Sequence, residues 1–145
     1  MSLDAPPKKI LPSLAWYTPF EPYTLALIRF CIGALIVLHG IDRLFLSGAS
    51  KELPGFLGAI SPLVGVVELA GGAMLALGLL TRPIALLLTL EWLSIALAMP
   101  LRPGTNWIML GATPHYPAFV AGLCFIFAIC GGGRYSLDHA LGKEI

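Results

Sequence analysis

The sequence predicts an all-α polytopic membrane protein, a bundle of four transmembrane helices. Three observations carry that prediction. The 145-residue chain is 57% apolar and only 12% charged. Its mean hydropathy is +0.86. Its apolar residues gather in four continuous runs, each bounded by proline or glycine. A soluble domain carries about 25% charged residues, because a water-facing surface needs them. A chain this short has nothing left to cover four helices that are apolar on every side, so lipid is the solvent they fit. The runs do not alternate apolar with polar, which sets aside a β-barrel.

Residues 1–20 form an N-terminal arm with four prolines, Lys8 and Lys9, closing on Trp16, Tyr17 and Phe20 as an aromatic anchor for the membrane interface. The arm lacks the basic region, short apolar run and small-residue cleavage site of a secretory signal, so the first apolar run is expected to be retained as a span. The transmembrane domain covers residues 21–134. Its first span is expected at residues 23–41, with Pro22 at the helix start. The second is expected at residues 60–80, with Pro62 in its first turn, and the third at residues 83–99, opened by Pro83 and stopped by Pro100. The fourth, residues 116–130, is short for the roughly 20 residues that cross a bilayer, and His115 and Gly131 are candidates to extend it. Gly131, Gly132 and Gly133 end it. Residues 135–145 then read as a short amphipathic tail, with Ser136 as a helix cap.

Orientation follows from the basic residues near the span ends. Lys8, Lys9, Arg82, Arg134 and Lys143 fall on the side of the termini, against Arg43, Lys51 and Arg102 on the other. That bias places both termini in the cytoplasm. The longer connections, residues 42–59 and 100–115, then face outward, and Trp107, Ile108 and Met109 suit a segment lying in the interface. Gly33 and Gly40 on the first span, and Gly65, Gly72 and Ala76 on the second, leave small-residue stripes along which helix backbones approach closely.

Four ionisable residues lie within the spans: Arg29, His39, Glu68 and Glu91. Charge in hydrocarbon is costly, so such groups turn inward and find partners. At 1.5 Å per residue, Arg29 lies about 10 Å and Glu91 about 12 Å from the cytoplasmic end, Glu68 about 18 Å and His39 about 25 Å. These depths predict an Arg29–Glu91 pair and a polar track rising through Glu68 to His39, with Asp42, Arg43 and His115 at its outer rim. The track has two readings: ion pairing that sets which helices touch, or a site for a quinone head group, a small polar substrate or protons.

Other chemistries are poorly supplied. A formal charge of +1 offers no field for nucleic acid. No HxxxH or paired Cys/His spacing points to a metal, and the glycine-rich stretches lack the lysine and context of a phosphate loop. Cys31, Cys124 and Cys130 form no CxxC and read as small core hydrophobes. The sequence carries no haem-ligand histidine pair and no iron–sulfur cysteine set, so no intrinsic cofactor is expected.

Three stretches together resemble the DoxX family of small four-helix membrane proteins, which includes the DoxD-type subunit of thiosulfate:quinone oxidoreductase. The first is Arg29, Gly33 and His39-Gly40, followed by Arg43 where the family often has lysine. The second is Glu68-Leu69-Ala70-Gly71-Gly72, then Gly78-Leu79-Leu80-Thr81-Arg82-Pro83. The third runs from Gly133-Arg134 to Asp138. Glu91 and the arm stand outside the resemblance. It implies a bacterial or archaeal inner-membrane location and redox or quinone-linked work beside other membrane or peripheral redox subunits, or in a homo-oligomer. A structural anchor without catalytic activity and a small-solute or proton transporter stay open, as does whether the chain is an enzyme.

Overall fold

The structure, a computed structural model, describes residues 20–46, 56–98 and 115–142. The expected arm with Lys8, Lys9, Trp16 and Tyr17 lies outside the described residues, as do Lys51, Arg102, Trp107, Ile108, Met109 and Lys143. Within the described residues the chain is helical: α1 (Glu21–Ile41), a π turn (Asp42–Leu46), α2 (Phe56–Leu77), α3 (Thr81–Ala98), α4 (His115–Cys130) and a four-residue α5 (Leu137–Ala140).

Three helices are long and apolar enough to cross a membrane, Glu21–Leu46, Ala59–Leu77 and Thr81–Ala98, and α4 is a shorter apolar helix. At 16 residues α4 is about 24 Å long, so it crosses a roughly 30 Å hydrocarbon layer only with local thinning or help from its flanks. No more than a third of each candidate span is buried inside the protein. The outward surface is made of side chains such as Leu27, Phe30, Leu38, Leu63, Leu97 and Phe119, all more than half exposed. In water that surface would aggregate; in acyl chains it is solvated.

The bundle is built from two tight pairs, α1 on α2 and α3 on α4, which close on each other chiefly through α2 and α3. Glycine explains the first pair. A Cβ on Gly33 would stand 2.6 Å from the Gly72 carbonyl and the Ala76 amide, and one on Gly40 would stand 2.7 Å from the Leu69 amide. Backbone therefore packs on backbone, and the antiparallel register of α1 and α2 is set by Gly33 and Gly40 against Gly72, Leu69 and Gly65. The pairs meet over a core of Ile32, Ile36, Leu75, Leu88, Trp92, Val120, Cys124 and Phe127.

The helix bounds correct several expectations. α2 begins at Phe56, so Pro62 stands inside it and not in its first turn. His115 does extend α4, whereas Gly131 turns left-handed at φ 78° and ends it. Only Cys124 joins the core; Cys31 and Cys130 fall on outward faces and are exposed. An apolar run does not reveal which way each of its residues faces.

The tail is more than an amphipathic appendage. Gly78, at φ 73°, closes α2, with the Leu79 amide reaching back to the Met74 carbonyl at 2.9 Å. Leu80 follows at φ 49°, unusual for a residue with a side chain. Its amide donates to Asp138 Oδ1 at 2.7 Å, while the Thr81 amide and hydroxyl each donate to Oδ2 at 2.8 Å. One tail carboxylate thus caps the start of α3. The Asp138 amide in turn donates to the Gly78 carbonyl at 3.0 Å. Ser136 caps α5 as expected, its hydroxyl accepting from the His139 amide.

Candidate functional site

Arg29 belongs to that tail junction. It is 3% exposed, and its guanidinium donates to the carbonyls of Gly132 and of Tyr135, the latter at 2.7 Å. The expected Arg29–Glu91 pair is absent. Depth measured from each helix's own end misplaces Arg29, because the first eight residues of α1, 21–28, precede the level at which α2 ends. The Gly33–Gly72 register sets Arg29 level with Gly78, where a Cβ on that glycine would stand 2.7 Å from the guanidinium carbon. Arg29 therefore ties α1 to the far end of α4, outside the polar track.

The polar cluster sits deeper. Glu68 lies nine residues from the end of α2 and Glu91 ten from the start of α3, about 14 and 15 Å from their common turn. Glu68 is completely buried. Arg43, on the π turn, grips it with two parallel contacts, Nε to Oε2 at 2.9 Å and Nη2 to Oε1 at 3.1 Å. Arg43 was expected at the outer rim; its side chain instead reaches back down into the bundle. The π turn continues the chain past Ile41 on the bundle side, and the arginine stem covers Gly65, where a Cβ would meet Leu44 and Arg43. A forked guanidinium on a carboxylate is the strongest pairing available in a medium of low polarity.

A Cβ on Gly71 of α2 would stand 3.2 Å from Leu88 of α3, and one turn further from the connecting turn Glu68 and Glu91 stand level on this antiparallel pair. As a carboxylate Glu91 has no donor: both of its oxygens are buried and unpartnered. The next residue, Trp92, is 2% exposed and its indole Nε1 is likewise buried without an acceptor. Trp92 packs its ring against His39 of α1, with centroids 5.0 Å apart, and against Tyr116 of α4 at 5.7 Å. His39 and Tyr116 complete the triangle at 5.9 Å. Rings from three helices thus border a cluster of two carboxyls and one guanidinium.

Of the residues singled out from sequence, the structure brings Glu68, Glu91 and Arg43 together, sets His39 at their aromatic border and removes Arg29. Asp42 opens the π turn and His115 opens α4, both exposed and both engaged in interactions within the structure. Sequence reasoning missed Trp92 and Tyr116, because an aromatic in an apolar run reads as lipid-facing or core. The signal was Trp92 following Glu91 directly on a span. Asp138 was also missed as the cap of α3.

These features define a small helical membrane protein of the four-helix kind, with a charged cluster sealed among its spans. The chain belongs to the DoxX family, whose match covers residues 24–101. It is also similar to an uncharacterized protein of Haemophilus influenzae, 28% identical over 130 residues, which span 86% of this chain and 96% of that protein. No solved structure matches it. The three stretches that carry the resemblance converge in space. Arg29, the Gly78–Pro83 turn and the Gly133–Asp138 segment form one junction, while Glu68 and Arg43 form the cluster above it.

Proposed function

We propose that this protein is a quinone-interacting subunit of a membrane oxidoreductase assembly, its head-group site lying between the Arg43–Glu68–Glu91 cluster and the rings of His39, Trp92 and Tyr116. One observation carries the reading: consecutive residues of α3 hold a buried acceptor, the Glu91 carboxyl, and a buried donor, Trp92 Nε1, neither with a partner. Unpaired polar groups in hydrocarbon cost several kcal/mol each, on the order of 2–7 by transfer measurements, so they are retained where something else uses them. A quinone head group is flat and apolar on its faces and polar at its two oxygens. Trp92 would donate to a carbonyl, Glu91 would accept from a hydroxyl, and the rings of His39 and Tyr116 would lie along the faces. Bound there, a quinone supplies two-electron chemistry coupled to protons. The chain's own residues orient the head group and exchange protons with it, while the electron donor is a partner subunit or a soluble molecule. The DoxX fold and the bias of basic residues support an inner-membrane setting in a bacterium or archaeon, with both termini cytoplasmic.

Tryptophan fluorescence tests this. Replacing Trp16 and Trp107 by Phe leaves Trp92 as the single reporter. In nanodiscs, short-chain ubiquinone or menaquinone is expected to quench it saturably, and Glu91→Leu is expected to weaken the affinity about tenfold, the loss of one buried hydrogen bond that leaves its partner unpaired. Quenching that grows linearly with quinone in the bilayer, or that is unchanged by Glu91→Leu, rejects the site. A second reading, a structural subunit, is favoured by the Arg43–Glu68 fork, which pins the end of α1 to the middle of α2. That reading predicts the linear response.

A further inference from the structure

We propose that Glu68 and Glu91 share a single proton, making the Arg43–Glu68–Glu91 cluster a neutral, buried proton-binding site. The inference goes beyond quinone binding and does not depend on it. Charge counting within the site leads to it. One guanidinium neutralises one carboxylate, and Arg43 is committed to Glu68 through both of its contacting nitrogens. A second carboxylate beside that pair would be an uncompensated charge about 15 Å inside a bilayer, which hydrocarbon does not tolerate.

The site draws titratable groups from all four helices. The π turn contributes Arg43 and α2 contributes Glu68. From α4 come Cys124, in the same buried core as Trp92, and Tyr116, packed on the Trp92 ring. α1 contributes His39, whose ring packs on Trp92 with centroids 5.0 Å apart. Among the described residues Arg43 is the guanidinium of the site, and Glu68 already occupies it through two contacts. Geometry completes the case. Glu91 and Glu68 stand level on neighbouring helices, yet between two carboxylates no hydrogen bond exists, and both Glu91 oxygens are buried and unsatisfied. A proton on Glu91 allows an O–H···O bond to Glu68. Two neighbouring buried carboxyls share one proton, since both cannot ionise together. The dyad is then the acid–base group of the site, carrying a proton inside the membrane.

The count is measurable. Infrared spectra of the full chain in phosphatidylcholine vesicles without quinone, at neutral pH, report protonated carboxyls through a C=O band distinct from carboxylate. The wild type is expected to show one such buried acid. In Glu91→Gln the band disappears. It also disappears in Glu68→Gln, because Glu91 then ionises and takes over Arg43. In Arg43→Gln two acids are expected and the band doubles. A wild type without the band overturns the proposal, and so does a band that survives Glu91→Gln at full strength. Should Arg43→Gln fail to fold, the wild type and Glu91→Gln decide it alone, since glutamine keeps the shape of the protonated acid. Quinone quenching can fail while the band behaves as expected, and the reverse also holds, so the two readings fall separately.

Discussion

Asp138 is 6% exposed and reaches across the bundle to three donors at the start of α3. Burial pushes its carboxyl up, but the Thr81 amide and hydroxyl, the Leu80 amide and the Arg29 charge outweigh that and hold it below the usual carboxylate range. A carboxyl depressed on folding stabilises the protein fully above its unfolded value, near 3.9, and loses that contribution as pH falls through the lower folded value. Asp138→Asn is therefore expected to lower stability at neutral pH by about 1–2 kcal/mol, the usual worth of a helix cap, and to flatten the acid limb of the stability curve. Thermal unfolding in detergent across the acid range measures both. An acid limb as steep as that of the wild type would remove Asp138 from this role. At this scale the sequence was only partly readable. Glu68 announced itself as a charge in a span, whereas an aspartate in a polar tail gives no sign that it caps a helix 57 residues upstream.

At the scale of the helix, the α1–α2 contact decides the register of everything else. Its glycines leave no room for a side chain: a Cβ at Gly33 or Gly72 would lie within 2.8 Å of the opposing backbone, and backbone cannot rotate away as a flexible side chain can. Gly33→Ala is expected to destabilise the bundle by about 1–3 kcal/mol, with the helices forced apart. Gly122 on α4 faces open space, and Gly122→Ala is expected to change stability by no more than about 0.5 kcal/mol. Unfolding in mixed micelles with increasing SDS compares the two, and equal midpoints would mean that close approach does not hold α1 to α2. The small-residue stripes were visible in the sequence, but their partners were not. Shifting that contact by one turn moves a side chain about 5.4 Å along the axis, enough to exchange one ion-pair partner for another.

Over the whole molecule, the start of α1, the α2–α3 turn and the tail gather at one end, tied by Arg29 and Asp138. The described ends of the chain at Phe20 and Gly142 therefore lie on one side, and the excess of basic residues in the sequence next to those ends predicts that side to be the cytoplasm. Fluorescent-protein fusions at either terminus should both be active, and alkaline phosphatase fusions at the same points should both be silent. Opposite results at the two ends would contradict the bundle. Matching results of the reverse sense would leave the bundle standing and invert it in the membrane.

The helices, their number and their solvent could be read from the chain itself, because transfer into lipid depends on the summed apolarity of a run and hardly on its neighbours. The inward turn of Glu68 followed from the same energetics, since hydrocarbon forbids a lone charge wherever the helix lies. Which charges meet could not be read this way. Depth along the helices pairs Arg29 with Glu91 and leaves Arg43 at the rim, and only the backbone contact of α1 with α2 assigned Arg43 to Glu68 and sent Arg29 to the tail. Pairing depends on relative position to within an ångström or two, and that is a property of packed helices and not of any one of them.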